Sequence, residues 1–400
     1  MLARETSPRP EPPVRIAAVF LLSRRCNLRC HYCNVDAGPG VGDRLDPGLF
    51  EAWVSALAGL GHIDLGVQLH GGEPLMSSPT VECHAETARQ VVDRWPTARL
   101  STIGVVTNGL LLDRHRAVSL RSAGIEVIVS VDGPQHIHDR FRVTGAGRGS
   151  HGRAMRAVDV LRDVGVAPRV LSVVSTPADA TEALDFFRAE GVAQVRINPV
   201  RPEGRAAGAT SDQADPHAMA DAYLEMAMTA ARHNRASPTR PIHEHNIVAV
   251  MSKVIGGTDA PPTWTLLVDD HGSLWAHPGG YGTDHMRLTD GQVPSAALLA
   301  DVLQLDAAPA AGPVPRGRTA RLHARQLSTM RPCAGCPDPF WCSRFRPVVA
   351  PVGGAAFDPD CEWRRQLTRL LRAYWKTAPD EAAWVLPARV EMATGSQRVR

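Results

Sequence analysis

Three cysteines, Cys26, Cys30 and Cys33, stand in the stretch RRCNLRCHYCNVD with three and then two residues between them, and no fourth follows nearby. Structural zinc takes four ligands, commonly from paired knuckles, so three make a poor zinc site. A cubic 4Fe-4S cluster has four irons, and a protein that ligates three of them leaves one open to bind and activate a small molecule. One tight loop with this spacing can wrap three corners of such a cube. A second group, Cys333, Cys336, Cys342 and Cys361, has gaps of two, five and eighteen residues. Taken alone, a four-cysteine zinc site is a fair reading of it. Cys83 stands apart in an expected helix, where a small buried hydrophobe is the expected role.

The elements that must position these thiols alternate from about residue 15 to 235. RIAAVFLLS (15–23), LGVQLHGG (65–72), STIGVVTNG (101–109), EVIVSVDG (126–133), PRVLSVVST (168–176) and QVRINPV (194–200) have the short apolar, β-branched character of buried strands. Segments of helical period separate them, several ending at glycine as helix C-termini prefer. Apolar strands joined by helices imply a parallel sheet covered by helices. Six such units give an α/β fold, a partial (β/α)6 TIM-like barrel. Chemistry in such barrels sits where the strands end. The triple-cysteine loop, HGGEP, VTNG, SVDGP and RINPV all follow strands, so they converge on one rim.

Beyond the barrel, TLLVDDHGSLWAHPGG has the form of a hairpin with a DHG turn. DAAPAAGPVPRGR (306–318) is a loose linker by composition, and WRRQLTRLLRAYW has the period of a closing helix. The expected organisation is a disordered lead-in over 1–13, the barrel over 14–235, a connecting helical segment over 236–261, a smaller cysteine-bearing domain over 262–375 and a tail over 376–400. His243 and His245 in HEH alternate rather than share a helix face, which favours a surface or packing role over metal binding.

Composition excludes several classes. The 400 residues are 44% hydrophobic and 21% charged, with no apolar run long enough to span a bilayer, so no membrane partner is expected. The first thirteen residues, rich in proline and charge, lack the apolar core of a secretory signal, and a cytoplasmic location is the expectation. A formal charge of +3 is too mild for a nucleic-acid footprint. In a reducing compartment, clustered cysteines favour metal ligation over disulfides.

Cys26, Cys30 and Cys33, with Tyr32 before the third, resemble the C-x3-C-x2-C loop of the radical S-adenosylmethionine (SAM) enzymes. Gly71, Gly72, Glu73 and Pro74 resemble that family's glycine-rich motif, whose backbone and carboxylate contact the methionine amino group, with glycine permitting close backbone approach. Thr107, Asn108, Ser130 and Asp132 occupy rim positions that the resemblance places near the nucleoside and carboxylate, and Arg142 is the expected partner of that carboxylate. The family chelates SAM on the open iron, cleaves it with one electron and uses the resulting 5'-deoxyadenosyl radical to abstract a substrate hydrogen.

The second cysteine group resembles a SPASM (twitch-like) C-terminal domain, which holds auxiliary 4Fe-4S clusters. His277 and Arg346 replace cysteines of the first auxiliary cluster. The resemblance therefore implies two clusters in all, with Cys333, Cys336, Cys342 and Cys361 holding the auxiliary one, and Trp341 shielding it. LHGGEPLM, the stretch VSVDGPQHIHDRFRVTGAGRGSHGRAMRAVDVLR and FDPDC resemble maturases that form three-residue cyclophanes in ribosomal peptides. This implies a precursor-peptide substrate, an external electron donor of flavodoxin or ferredoxin type, and a side-chain crosslink. Thioether formation, formylglycine formation and epimerisation are alternatives; a zinc-stabilised binding protein is a distant one. Asp269, Asp270, His271 and His277 are candidates for the base that takes the ring proton.

Overall fold

The fold is seen in a computed structural model, which describes residues 13–77, 79–201, 203–208, 214–256, 263–275, 287–293, 295, 299 and 359–394. His277, Trp341, Arg346, Cys333, Cys336, Cys342, the lead-in through residue 12 and the 306–318 linker lie outside the described residues. Cys361 lies in a described helix, but its side chain is outside them as well.

Six strands occupy the expected places: β1 (Val14–Leu21), β2 (Ile63–His70), β3 (Ala98–Thr107), β4 (Glu126–Ser130), β5 (Arg169–Val174) and β6 (Gln194–Pro199). Each pairs in parallel with the next. Between them run α1 (Pro47–Ala58), α2 (Val81–Val92), α3 (Arg114–Ser122), α4 (Gln135–Phe141), α5 (His151–Asp163) and α6 (Pro177–Ala189). This is the partial barrel expected of the sequence.

The local chemistry explains the helix limits. Asp46 caps α1, accepting from the Gly48 and Leu49 amides, and Thr176 and Asp179 form a reciprocal capping box on α6. α3, α5 and α6 stop by one device: Gly124, Gly165 and Gly191 take φ of +62°, +75° and +69°. The residue after each glycine donates its amide back to the last turn, to the carbonyls of Leu120, Leu161 and Phe187.

After α7 (Pro216–Ala236) the sheet continues past the expected boundaries. β7 (His243–Glu244) adds to β6, and α8 (His245–Gly256) follows it. β8 (Thr263–Val268) adds to the opposite edge, parallel to β1, and turns back as β9 (Leu274–Trp275). The order β7-β6-β5-β4-β3-β2-β1-β8-β9 thus carries one sheet across both residue 236 and residue 262. Glu244, buried in β7, joins the pieces: its carboxylate accepts from the amides of Ile197 and Ile247.

The closing helix α9 (Pro359–Thr377) packs on α7 and α8 through Trp363, Leu367, Leu371 and Tyr374, one stripe at helical spacing. The expected tail folds into α10 (Pro379–Ala382) and α11 (Pro387–Thr394), with Ala382, Val385 and Val390 buried. His243 bonds the Val385 carbonyl, a packing role. Cys83 is a correction: it lies in the first turn of α2 but is exposed, because the buried face of that helix runs through Val81, His84, Ala85 and Ala88. Among the described residues no helix is long and apolar enough to cross a membrane.

Candidate active site

β1 delivers the triple-cysteine loop to the rim, and the ends of four other strands or their loops hold it there. From β2, the amides of Gly72 and Glu73 donate to the carbonyls of Ser23 and Arg25, at 2.7 and 2.9 Å. A Cβ on Gly72 would lie 2.3 Å from the Arg25 oxygen and one on Gly71 2.7 Å from that of Ser23, so only glycine fits. The glycines expected to admit the ligand thus admit the backbone that leads into Cys26. After β4, Arg29 and His31 donate their amides to Val143 and Phe141. After β6, Arg205 reaches across to the loop with its main chain and guanidinium. After β8, Asp270 accepts from Arg24 Nε at 2.9 Å.

The thiols fit an iron-sulfur cluster better than a single ion. Among the described residues, the one set of three potential ligand atoms mutually within 4.8 Å is Asp43, Asp270 and His271, so the three cysteine sulfurs do not all lie that close together. Thiolates on one tetrahedral zinc lie about 3.8 Å apart, from bonds of about 2.3 Å. The amides of Leu28 and Ala37 point at the sulfurs of Cys26 and Cys33, both at 3.3 Å, as acceptor thiolates or cluster sulfur would need. Burial pushes the Cys26 thiol up to about 12 and raises that of Cys30. These groups ionise when a cation replaces the proton.

Glu73 is buried and turns its carboxylate onto the end of β3. Oε1 accepts from the Thr107 hydroxyl at 2.7 Å and the Leu75 amide at 3.0 Å, and Oε2 accepts from the Asn108 amide at 2.7 Å. Burial raises its pKa, and these three donors oppose the shift. Its described partners are therefore within the protein, where it ties β2 to β3, while Pro74 opens the short turn that follows. Asn108 continues inward: its side-chain amide donates to Asn27 Oδ1 at 2.7 Å and lies 3.7 Å from the Cys26 sulfur.

On the other flank Tyr32 donates its hydroxyl to Asp132 and accepts from Arg142 Nη1 at 2.8 Å. Arg142 lies 3.8 Å from the other Asp132 oxygen, which also accepts from the Val173 amide. Ser130, the last residue of β4, is buried just before this group. Burial raises the Asp132 pKa, while Arg142 and the Tyr32 hydrogen bond oppose it. Arg142 Nε is buried without a hydrogen-bond partner. A buried guanidinium N–H left open beside the cysteine loop suits a ligand carboxylate. His138 supports the group from beneath, accepting the Asp132 amide at Nδ1 and bonding Ser150 Oγ through Nε2 at 2.9 Å. Burial, then the charge of Arg142, pulls its pKa down to about 2.

The base candidates separate. Asp269 is spent on the hairpin: Oδ1 accepts from the amides of His271 and Ser273, and Oδ2 from Trp275 Nε1. Asp270 is buried with Oδ1 unpartnered, and His271 is exposed. Arg205 and His138 escaped the sequence reading. The signal for Arg205 was its place just beyond the sixth strand, after Gly204; His138 had none, being one of three histidines in a polar stretch.

A model of the Radical SAM superfamily matches residues 20–187. The GTP 3',8-cyclase of Moorella thermoacetica is 30% identical over 247 residues, spanning 59% of this chain and 69% of that protein. Other curated relatives are matched over about a third to a half of their length. In fold, native anSMEcpe with bound AdoMet and Kp18Cys peptide superposes with a TM-score of 0.71 at 16% identity, over 93% of this chain and 99% of that one. Streptococcus suis SuiB bound to precursor peptide SuiA superposes at 0.52 and 13% identity, over 71% and 64%. With the loop, the rim and the sequence match in agreement, the chain belongs to the radical SAM superfamily, enzymes that use S-adenosylmethionine with a 4Fe-4S cluster.

Proposed function

We propose that the chain is a maturase of a ribosomally made peptide that installs an intramolecular carbon–carbon crosslink of cyclophane type. In this reading Cys26, Cys30 and Cys33 would hold a 4Fe-4S cluster, with S-adenosylmethionine bound beside it. When bound, the pair would supply one-electron radical chemistry for hydrogen abstraction. Arg142 orients the carboxylate, Gly71 and Gly72 fix the loop, and Glu73 with Thr107 and Asn108 sets the floor of the nucleoside site. Cys333, Cys336, Cys342 and Cys361 hold a second, fully ligated cluster suited to electron transfer.

The observation that carries the peptide reading is the fold match over nearly the whole chain to a structure with a bound peptide, supported by the match to SuiB with its precursor. Each crosslink removes two hydrogens, one as the abstracted β-carbon atom and one as a ring proton, with one electron leaving. For the proton acceptor, Asp270 and His271 are favoured over Asp269, whose oxygens already accept from the protein.

A second reading, a nucleotide cyclase, is favoured by the likeness to GTP 3',8-cyclase. Co-expression with a short peptide encoded beside the gene, followed by mass spectrometry, separates them. A loss of about 2 Da per crosslink supports the maturase, from the two hydrogens removed. An unchanged peptide together with consumption of GTP supports the cyclase.

A further inference from the structure

Resting on the reading of Cys26, Cys30 and Cys33 as cluster ligands, we infer that Arg205 is a positioning residue that clasps the cluster loop and supplies part of the positive charge beside it. The loop after β6 has no ligand of its own, yet it closes on the cysteines. Arg205 Nε donates to the Cys30 carbonyl at 2.9 Å, Nη2 to the Ala37 carbonyl at 2.7 Å and Nη1 to Asp36 Oδ1 at 2.6 Å. Its main-chain amide donates to the Cys33 carbonyl at 3.0 Å. One residue thus pins both ends of the Cys30–Ala37 segment and the cysteine within it.

Two backbone features show that the clasp is built. Asp36 has φ of +51°, the left-handed region that costs a non-glycine residue energy and persists where neighbours fix it. Its carboxylate is held by Arg205. Gly204, at φ +54°, could not carry a side chain, because a Cβ would lie 2.3 Å from the Cys33 carbonyl oxygen and 2.6 Å from that of Asn34. The glycine brings the arginine into range. The planar fork meets three acceptors on three residues, which a lysine ammonium cannot reproduce. Its guanidinium, bonded to the Cys30 carbonyl, sets a positive charge beside the loop. Beside a cluster, the same charge favours the reduced, more negative state.

The test compares full-length wild type, Arg205→Lys and Arg205→Gln after anaerobic reconstitution, with Cys336→Ala in the background so that the radical cluster is read alone. Two measurements are made: the rate of iron loss to a chelator, and the midpoint potential by redox titration followed by EPR. Both variants should lose iron about tenfold faster, since each breaks charge-assisted bonds to the loop. Arg205→Gln should titrate at a more negative potential, and Arg205→Lys should recover much of that shift because it restores charge without the fork. If Arg205→Gln loads no iron, iron loss is read from Arg205→Lys alone, and wild-type iron retention in that variant would overturn the clasp. A variant pair with wild-type iron loss and wild-type potential overturns the inference while leaving the cluster intact. A wild-type chain that takes up no iron overturns the cluster reading itself.

Discussion

Arg142 Nη1 donates to the Tyr32 hydroxyl at 2.8 Å across 110 residues of sequence. The bond joins the cysteine loop after β1 to the segment after β4, and it aims a buried guanidinium whose Nε has no protein partner. Tyr32→Phe removes the acceptor and leaves Asp132 without its phenolic donor. S-adenosylmethionine affinity should fall about tenfold, the order expected when one hydrogen bond to a charged group is lost. Anaerobic calorimetry checks this, and an unchanged Kd would show that Tyr32 does not orient Arg142 for the ligand.

His138 gives a pH prediction. Its folded pKa, about 2, lies below the ordinary 6.5 because burial and the charge of Arg142 oppose protonation. The unfolded chain therefore binds the proton first as pH falls. Stability is full above about 6.5 and lost progressively below it, by about 1.4 kcal/mol per pH unit down toward the folded value. Urea unfolding at pH 7.0 and 5.5 should show a smaller acid loss in His138→Gln than in wild type. Equal losses would contradict a neutral, buried His138.

Gly72 and Gly40 make a paired steric test. A Cβ at Gly72 meets the Arg25 carbonyl oxygen, whereas one at Gly40 meets nothing within 4 Å. Gly72→Ala should cost about 1–3 kcal/mol or more and displace Cys26 enough to reduce iron uptake. Gly40→Ala should stay within about 0.5 kcal/mol of wild type. Thermal unfolding and iron content decide it, and equal behaviour of the two variants would refute the role given to the glycine-rich motif.

The auxiliary ligand set is tested by counting iron. Cys336→Ala should lower iron from about eight to about four per chain, since each cubane holds four. A wild-type value near twelve would instead mean that His277 or another group supports a third cluster.

Much of this arrangement was legible in the residues. RIAAVFLLS holds an unbroken apolar run from Ile16 to Leu22, as a strand covered on both faces must, and the glycines after α3, α5 and α6 marked their ends. β7 was not legible, because two residues carry no period; its anchor is the buried carboxylate of Glu244, which in sequence looks like any exposed charge between two histidines. The cysteine loop declared its chemistry by spacing, and HGGEP declared its place by following β2. What spacing could not give was direction: that Glu73 faces Thr107 and Asn108, and that Gly71 and Gly72 make room for Ser23 and Arg25, depend on how two strand ends meet. Arg205 stayed hidden for the same reason, since its three acceptors lie at least 168 residues away.

On this rim the triple-cysteine loop is proposed to hold a cluster with one open iron. The direct test is anaerobic reconstitution with iron and sulfide, addition of S-adenosylmethionine and dithionite, and chromatography for 5'-deoxyadenosine. Wild type should form 5'-deoxyadenosine, and Cys26→Ala, which opens the ligand set, should form none above background. Equal 5'-deoxyadenosine from both, or a colourless wild-type protein that forms none, would contradict the account.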